Sequence, residues 1–230
     1  MNSLPFCDRR EAGRLLAAMC AAFANRPDVL VLALPRGGVP VAYEVARALD
    51  APLDVFLVRK LGVPGYEELA MGAVATGGVR VLNDDIVSGL RIPGYVIDAV
   101  AAREQQELGR RERLYRDSRP APDVRGRTVI LVDDGLATGA TMQAAVRALR
   151  QQQPDRIVVA VPIAARETCE SLRPEVDDIF CAATPEPFQA VGYWYEDFSQ
   201  TTDDEVRDLL AQRHQPEQRT AERGRTATPC

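Results

Sequence analysis

Histidine and lysine are almost absent from this 230-residue chain, which has one of each, His214 and Lys60. His214 lies in a polar stretch near the C-terminus, which argues against a histidine base and against most metal sites that contain histidine. All other basic residues are arginines, an excess that codon bias in a GC-rich genome explains. That bias does not explain why one position kept a lysine. Lys60 is therefore a candidate functional residue, with a solvated loop lysine as the alternative.

Cysteines are few, odd in number and scattered, at positions 7, 20, 169, 181 and 230. The sequence has no CxxC pair and no histidine near any cysteine, so it indicates neither a zinc site nor a disulfide framework. We expect free thiols in a reducing compartment.

The sequence also lacks a long apolar run and an excess of positive charge. No run approaches the roughly 18–20 apolar residues of a membrane span, and the first residues lack the basic and apolar regions of a signal peptide. The net charge is −5 and the pI is near 5.1, whereas surfaces that bind nucleic acid are usually basic. These absences predict a cytoplasmic protein that has neither a membrane nor a nucleic acid as its partner.

Apolar patterning predicts one domain over residues 1–210 and a disordered polar tail over residues 211–230. Short aliphatic runs alternate with amphipathic stretches in the order typical of α/β proteins. The predicted strands are 29–35, 52–60, 128–132, 156–162 and 177–182, the predicted helices are 8–25, 40–50, 95–117 (an insertion), 139–152 and 166–172, and a hairpin over 70–83 turns at Gly77-Gly78. We therefore expect a mostly parallel twisted sheet with helices on both faces.

The most informative stretch is VILVDDGLATGATMQAAV, residues 129–146, in which an apolar strand ends in Asp133 and Asp134. A loop of small residues then begins a helix, where free backbone N–H groups can bind phosphate. The common nucleotide motifs GxxxxGK[ST] and GxGxxG are both missing. A ribose 5-phosphate would satisfy this site, with its phosphate in the loop and its hydroxyl groups on the two acids. The alternative is a plain acidic turn that caps a helix.

The same stretch resembles the signature with which type I phosphoribosyltransferases bind phosphoribosyl pyrophosphate (PRPP): an apolar strand, an acidic pair, small residues and Thr-Gly. The order of predicted elements agrees with that family over roughly residues 28–200. The stretches LPRGGVPVAYEVA, RKLGVPGYEELAMGAVA and AVGYWYEDF further resemble a group of bacterial members of undefined substrate. The resemblance implies the type I fold with a small C-terminal hood, a PRPP–Mg²⁺ site, and transfer of a phosphoribosyl group with release of pyrophosphate.

The resemblance also implies a role for each part of this site. Asp133 and Asp134 would hold the ribose hydroxyls, and Mg²⁺ would arrive with PRPP and reach these acids through water rather than as a direct protein ligand. The 5′-phosphate would lie against Gly135, Leu136, Ala137, Thr138, Gly139, Ala140 and Thr141. The PRGG turn would bind pyrophosphate through Arg36, Gly37 and Gly38, in a turn where family members often have a strained peptide. A plain strand-to-helix turn is the alternative.

A closing segment belongs to this chemistry, because water would quench an oxocarbenium-like centre. We assign the lid to residues 59–72, with glycines at 62, 65 and 72 as hinges. Its candidate functional residues are the cations Arg59 and Lys60, for the leaving pyrophosphate, and the acids Glu67 and Glu68, for a proton at the acceptor. A solvated helix start is the alternative interpretation of the two glutamates.

The acceptor side is less defined. Enzymes for 6-oxopurines carry a further Asp just before Thr-Gly in the phosphate loop, and this chain has Ala137 there, so the resemblance points away from hypoxanthine and guanine. Phe188, Trp194 and Tyr195, in a hood over residues 183–200, could stack on an acceptor ring, and an aromatic core is the alternative.

Together these features favour an enzyme that transfers phosphoribosyl to an unidentified nitrogenous small molecule, or from a nucleotide to pyrophosphate. Family analogy implies a homodimer. The second hypothesis is a binding module that senses PRPP or a nucleotide without turnover. A kinase or phosphatase with Asp133 as nucleophile is the third, and it is disfavoured because no DxD or phosphate-binding lysine motif accompanies that residue.

Overall fold

The structure, a computed structural model, describes residues 4–117 and 119–213. Its strands are β1 (Val29–Ala33), β2 (Leu53–Val55), β3 (Val58–Val63), β4 (Tyr66–Ala75), β5 (Val79–Leu82), β6 (Thr128–Val132), β7 (Arg156–Ile163) and β8 (Asp178–Ala183). Five of them form a parallel sheet in the order β2–β1–β6–β7–β8, and β3, β4 and β5 form a separate antiparallel sheet. The predicted mostly parallel sheet is confirmed.

Helices cover both faces of the parallel sheet, as predicted. They are α1 (Arg9–Met19), α2 (Gly38–Leu49), α3 (Asp84–Gly89), α4 (Gly94–Arg116), α5 (Ala140–Gln151), α6 (Arg166–Leu172) and α7 (Asp203–Arg213). Successive side chains of β1 alternate between two cores: Val29 and Val31 pack with α1 and α2, whereas Leu30 and Leu32 pack with α5 and α6. Because both faces are covered, the central strands are aliphatic throughout.

The predicted lid, residues 59–72, lies in the antiparallel sheet, where it forms β3 and most of β4; its closing stays a prediction. The hairpin turn at Gly77-Gly78 is where the sequence placed it. The turn between β3 and β4 is Pro64-Gly65, with Gly65 at φ +83°. Proline followed by a glycine of positive φ is typical of a type II turn, so the Pro64-Gly65 pair is a local signal for this hairpin. The predicted strand 52–60 is likewise divided between β2 and β3, which lie in different sheets.

Two of the three predicted hinge glycines have another role. A Cβ atom on Gly72 would lie 2.3 Å from the Val81 carbonyl oxygen, and one on Gly62 would lie 2.7 Å from that of Glu67. Both glycines therefore permit the close approach of neighbouring strands, which is a packing requirement rather than a hinge.

The N-terminal residues complete the region predicted as a hood. Phe6 forms a β-bridge with Tyr195, and both side chains are buried in a small cluster with Ile163. Residues 183–200 contain one short 3₁₀ helix, Val191–Trp194, and pack on this N-terminal segment. A hood formed by the C-terminal part alone is not what the structure shows. At the far end α7 extends to Arg213, past the predicted start of the tail at residue 211, and residues 214–230 lie outside the described residues.

The cysteines also differ from prediction. Cys169 of α6 and Cys181 of β8 form a disulfide, with 6.9 Å between their Cα atoms, whereas Cys7 and Cys20 are free. The expectation of free thiols throughout was therefore wrong, because the fold brings together two cysteines whose spacing of 12 residues matched no known motif. Cys230 lies outside the described residues. Within those residues, no helix combines the length and apolar character needed to span a membrane.

Candidate functional site

The PRGG turn and the acidic pair lie side by side at the carboxyl edge of the parallel sheet. They follow β1 and β6, which are neighbours with Ala33 paired to Val132. A Cβ atom on Gly37 would lie 2.0 Å from Oδ2 of Asp134, so only glycine leaves room for this carboxylate. The peptide bond between Pro35 and Arg36 is cis, in the turn where the resemblance implied an unusual peptide.

Asp134 is held from three directions. Its Oδ2 accepts a hydrogen bond from Nε of Arg9 at 2.8 Å, and its carbonyl oxygen accepts one from the Tyr195 hydroxyl at 2.6 Å. Its own N–H donates to Oδ1 of Asp133 at 2.9 Å. The acidic pair is therefore a fixed structure joined to α1 and to the segment after β8.

The two carboxylates are costly to ionise in this environment. Burial raises the pKa of Asp133 well above its usual value, and the neighbouring charge of Asp134 raises it further. Burial also raises the pKa of Asp134, although the Arg9 guanidinium opposes that rise. Hydroxyl donors or a cation placed against these acids would relieve the cost, which makes the pair a suitable acceptor for a sugar diol.

The loop after the acidic pair presents unpaired backbone donors. None of the N–H groups of residues 137–142 donates to an acceptor within residues 4–117 and 119–213. These groups lead into the first turn of α5, and Gly139 adopts φ +70° at its N-cap. Thr138 and Thr141 are exposed, whereas the Leu136 side chain is buried in the core. The loop therefore has the features of an anion site. Leu136 adds no free donor to it, because its N–H donates to the Ile163 carbonyl.

The loop is anchored by α6. The Thr168 hydroxyl donates to the carbonyl oxygen of Ala137 at 2.6 Å, and a Cβ atom on Gly139 would lie 2.5 Å from Cγ2 of Thr168. On the other side, Gly135 packs against Ile163 and Val191. These contacts hold the loop open toward solvent.

Some of the hydrogen-bond donors of the PRGG turn already have a partner within the chain. The Gly38 N–H donates to the Leu34 carbonyl within the chain's own turn, so the backbone donors left for an anion are those of Arg36 and Gly37. The Arg36 guanidinium is half-buried and lies 3.7 Å from Asp203, a distance too long for a strong ion pair. Arg36 is therefore available to a ligand.

Arg59 and Lys60 point to opposite faces of β3, as neighbouring residues of a strand must. Arg59 faces α4, where its guanidinium donates to Oε2 of Glu104 at 2.9 and 2.6 Å. This buried partner argues against the predicted role of Arg59 in binding pyrophosphate. Lys60 is exposed on the other face, which it shares with Val58 and the side of the sheet toward α5.

A narrow cleft is lined by one residue from each of the two predicted anion sites. Pro35 of the PRGG turn and Thr141 of α5 line it, together with the side chains of Arg59 and Arg111. Arg111 donates to Glu107 at 2.9 Å, and Glu107 also binds Arg110. Arg111 is a cation at this site that sequence reasoning missed, because it lies within a long, evenly charged helix.

Glu67 and Glu68 lie on β4, exposed, near the tip of the hairpin. Oε1 of Glu67 accepts a hydrogen bond from the Gly65 N–H, and neither glutamate is hydrogen-bonded to the acidic pair or to its loop in the described part of the chain. Their predicted catalytic role gains no support from this arrangement and stays a prediction. The alternative of a helix start is wrong, because the segment is a strand.

The predicted hood aromatics are mainly core residues. Tyr195 is 5% exposed, with Phe6 and Phe198 against its ring, so it has no free face for an acceptor, contrary to the prediction. Phe188 and Trp194 are half-buried in the same cluster. The Trp194 indole N–H is buried and finds no partner among the described residues.

Comparison with known proteins agrees with this geometry. The phosphoribosyl transferase domain family matches residues 9–196. The chain belongs to the phosphoribosyltransferase family. A protein of Mycobacterium tuberculosis named a phosphoribosyl transferase, with no substrate in its name, is 48% identical over 209 residues; the match covers 91% of this chain and 47% of that protein. The chain thus spans about half the length of this curated relative.

For two further relatives the match covers a larger share of the relative's length. The crystal structure of TT1426 from Thermus thermophilus is 44% identical with a TM-score of 0.81, and the match covers 91% of this chain and 99% of that one. A uracil phosphoribosyltransferase of Lactobacillus gasseri is 30% identical over 173 residues, or 69% of this chain and 76% of that protein. The phosphoribosyltransferase fold is therefore shared over nearly the whole described chain.

Proposed function

We propose that this protein transfers a 5-phosphoribosyl group from PRPP to a nitrogenous small molecule other than a 6-oxopurine and releases pyrophosphate. The observation that carries the proposal is the meeting of three unlike parts at one sheet edge: the PRGG turn, the acidic pair and the loop of unpaired N–H groups. PRPP contains their counterparts in one molecule, namely pyrophosphate, ribose hydroxyls and a 5′-phosphate.

The 5′-phosphate would accept hydrogen bonds from the N–H groups of residues 137–142 and from the hydroxyls of Thr138 and Thr141. The positive end of the α5 dipole adds to this attraction. The ribose hydroxyls would donate to Asp133 and Asp134, whose burial strengthens each bond. These contacts would orient the anomeric carbon toward the acceptor.

The leaving pyrophosphate would lie at the PRGG turn. The N–H groups of Arg36 and Gly37 and the Arg36 guanidinium are its nearest donors, and Arg111 lines the adjoining cleft. Lys60 is proposed to neutralise charge that develops as the bond to pyrophosphate breaks, an interaction that grows in the transition state.

Mg²⁺ is proposed to arrive bound to PRPP. No group of three or more histidine, cysteine, aspartate or glutamate side chains that could hold a metal occurs within residues 4–117 and 119–213. The hard carboxylate oxygens of Asp133 and Asp134 suit Mg²⁺, which binds through one or two carboxylates and keeps several waters. When bound, the ion supplies positive charge to the pyrophosphate.

The acceptor is proposed to be a nitrogenous ring that needs no carboxylate from the phosphate loop. Ala137 presents only a methyl group to solvent at the position where 6-oxopurine enzymes have an aspartate. Similarity to a uracil phosphoribosyltransferase supports a ring of this class without naming it. Phe188 and Trp194, which keep partly exposed surfaces, are the remaining candidates for stacking.

A second candidate is a module that binds PRPP or a nucleotide without turnover. The observation that favours it is the acceptor side, where Glu67 and Glu68 form no hydrogen bond to the acidic pair or its loop among the described residues, and Tyr195 is buried. Both candidates share the PRPP site, and they differ only in whether an acceptor is consumed. A cytoplasmic homodimer that binds neither nucleic acid nor a membrane remains part of the proposal.

A panel of nitrogenous bases, scored for pyrophosphate released from PRPP and Mg²⁺, tests the proposal. The expected result is release that depends on one class of base. Tight PRPP binding with no release for any base would favour the binding module. Absence of PRPP binding would contradict both candidates.

A further inference from the structure

Arg9 is a charged side chain that the fold buries against one residue of the proposed site. Its Nε lies 2.8 Å from Oδ2 of Asp134, and the two side chains are only 11% and 16% exposed. They are 125 positions apart in the sequence, so the contact exists only in the folded chain. A buried ion pair adds little to the stability of a fold, because the cost of desolvating both charges offsets their attraction. The Arg9–Asp134 pair is therefore a candidate for a role in the proposed site.

The Arg9 guanidinium is fixed independently of Asp134. Its Cζ atom lies 3.9 Å from the centre of the Phe198 ring, within the range of a cation–π contact, and Nη1 donates to the Ser199 carbonyl at 2.7 Å. These two contacts hold the planar group in one orientation. Asp134 meets an arginine that is already oriented, so the geometry of the pair is set from the side of Arg9.

The remaining contacts leave each acid with one unused carboxylate oxygen. Oδ1 of Asp133 accepts the Asp134 N–H, and Oδ2 of Asp134 accepts from Arg9. Oδ2 of Asp133 and Oδ1 of Asp134 accept no hydrogen bond from any described residue. Two free oxygens on adjacent carboxylates match the two adjacent hydroxyls of a ribose.

We infer that Arg9 is a positioning residue that turns the Asp134 carboxylate so that its second oxygen faces the ribose of the substrate. The inference rests on the proposed function, since it assigns the ligand of that same site. Arg9 itself touches no substrate in this account, and it acts through Asp134. Lysine could keep the charge but not the simultaneous contacts with Phe198 and Ser199, because it lacks the planar fork of donors.

Calorimetric titration of the full chain with ribose 5-phosphate and, separately, with inorganic pyrophosphate tests this inference. Arg9→Met should weaken ribose 5-phosphate about tenfold, the loss expected for one charge-assisted hydrogen bond, and should leave pyrophosphate affinity within twofold. Arg9→Lys should fall between Arg9→Met and the unchanged protein. Arg10→Met is the matched control on the same helix, because Arg10 lies beside Glu44 and Tyr43 and should change neither titration.

The double variant Arg9→Met/Asp134→Asn separates positioning from a general structural effect. If Arg9 acts through Asp134, the double variant should bind ribose 5-phosphate no more weakly than Asp134→Asn alone. Additive losses, or equal losses for both probes, would overturn the inference. Normal binding by Arg9→Met while Asp134→Asn is weakened would overturn it and leave the proposed function standing. No effect of Asp134→Asn would instead remove the proposed function, and the inference with it.

Discussion

Asp133 shows at the scale of one residue how a site can conflict with stability. Its pKa is raised by burial and by the charge of Asp134, so the folded state holds this proton more tightly than the unfolded chain. A raised pKa means that the folded protein is favoured below the unfolded pKa and loses that contribution as pH rises through the folded value. The ionised form of this carboxylate is therefore the one that the fold disfavours, which is typical of groups kept for function.

Asp133→Asn should accordingly raise the midpoint of thermal unfolding at pH 8, and the difference from the unchanged protein should shrink as the pH is lowered. The amide oxygen can still accept the Asp134 N–H, so the main contact is retained. Thermal unfolding followed by circular dichroism between pH 4 and pH 8 measures the effect. A variant less stable than the unchanged protein at every pH would contradict the assigned cause.

Single residues were recognised where their neighbours in sequence explained them. The acidic pair and Thr138 stand in one continuous motif, so a role could be proposed for them from the sequence alone. Arg9 and Arg111 could not be found in this way, because each lies beside a residue or turn far along the chain and nothing in their local sequence marks them. The predicted role of Arg59 gains no support, because the alternation of side chains along β3 turns Arg59 toward Glu104 of α4 and Lys60 to the opposite face.

At the scale of elements, the loop before α5 is proposed to bind one phosphate and the PRGG turn the other. Thr138→Ala should weaken ribose 5-phosphate and PRPP by about two- to tenfold, the value of one hydrogen bond to a charged group. Inorganic pyrophosphate should bind with unchanged affinity, because it would use Arg36 and Gly37. Calorimetric titration with the three ligands measures these affinities. Equal losses for all three would show that the two phosphate groups have been assigned to the wrong loops.

Helix α4 offers a matched pair for the pyrophosphate side. Arg110 and Arg111 bind the same Glu107, whose pKa they lower to about 2, but only Arg111 lines the cleft beside Pro35. The two side chains are 60% and 37% exposed.

Arg111→Gln should therefore reduce pyrophosphate affinity several-fold, whereas Arg110→Gln should have little effect. Pyrophosphate titration at fixed ionic strength provides the measurement. Equal effects of the two variants would show that Arg111 acts only through the overall positive charge of the helix and not through a contact in the cleft.

Elements with clear periodicity were predictable. The strand 128–132 and the helix 166–172 agree with β6 and α6, because buried aliphatic runs and amphipathic stripes are local signals. The segment 59–72 has no such periodicity, and nothing in the sequence alone shows that Gly62 and Gly72 serve the close packing of strands. The Pro64-Gly65 turn was the local clue that would have indicated a hairpin.

At the scale of the molecule, the parallel sheet could be predicted from the order of elements in the sequence. The pairing of segments that are distant in the sequence could not. Neither the packing of Phe6 on Tyr195 nor the Cys169–Cys181 disulfide has a signal in the sequence. The same limit applies to the acceptor, since the surfaces that would enclose it come from both ends of the described chain.

The whole site is expected to reject 6-oxopurines. Ala137 has no group that could accept or donate a ring proton, whereas a positioned general acid or base accelerates a reaction roughly 10²–10⁴-fold. The only lysine, Lys60, lies on β3 on the pyrophosphate side and is not placed to recognise a 6-oxo group. A radiolabelled assay with PRPP and Mg²⁺ should show no efficient conversion of hypoxanthine or guanine when run beside adenine, orotate and uracil. Efficient nucleotide formation from either oxopurine would show that Ala137 is not a substrate filter.

The measurement that tests the central claim most directly is calorimetric titration of the full chain with PRPP and Mg²⁺, repeated on Asp133→Asn/Asp134→Asn. The unchanged protein should bind PRPP, and the double variant should bind it far more weakly, because charged acceptors for two hydroxyls are lost at about 1.5–3 kcal/mol each. Asp98→Asn, which changes an exposed carboxylate paired with Arg80, is the control and should bind normally. Equal PRPP affinity in the unchanged protein and the double variant would contradict the assignment of the acidic pair.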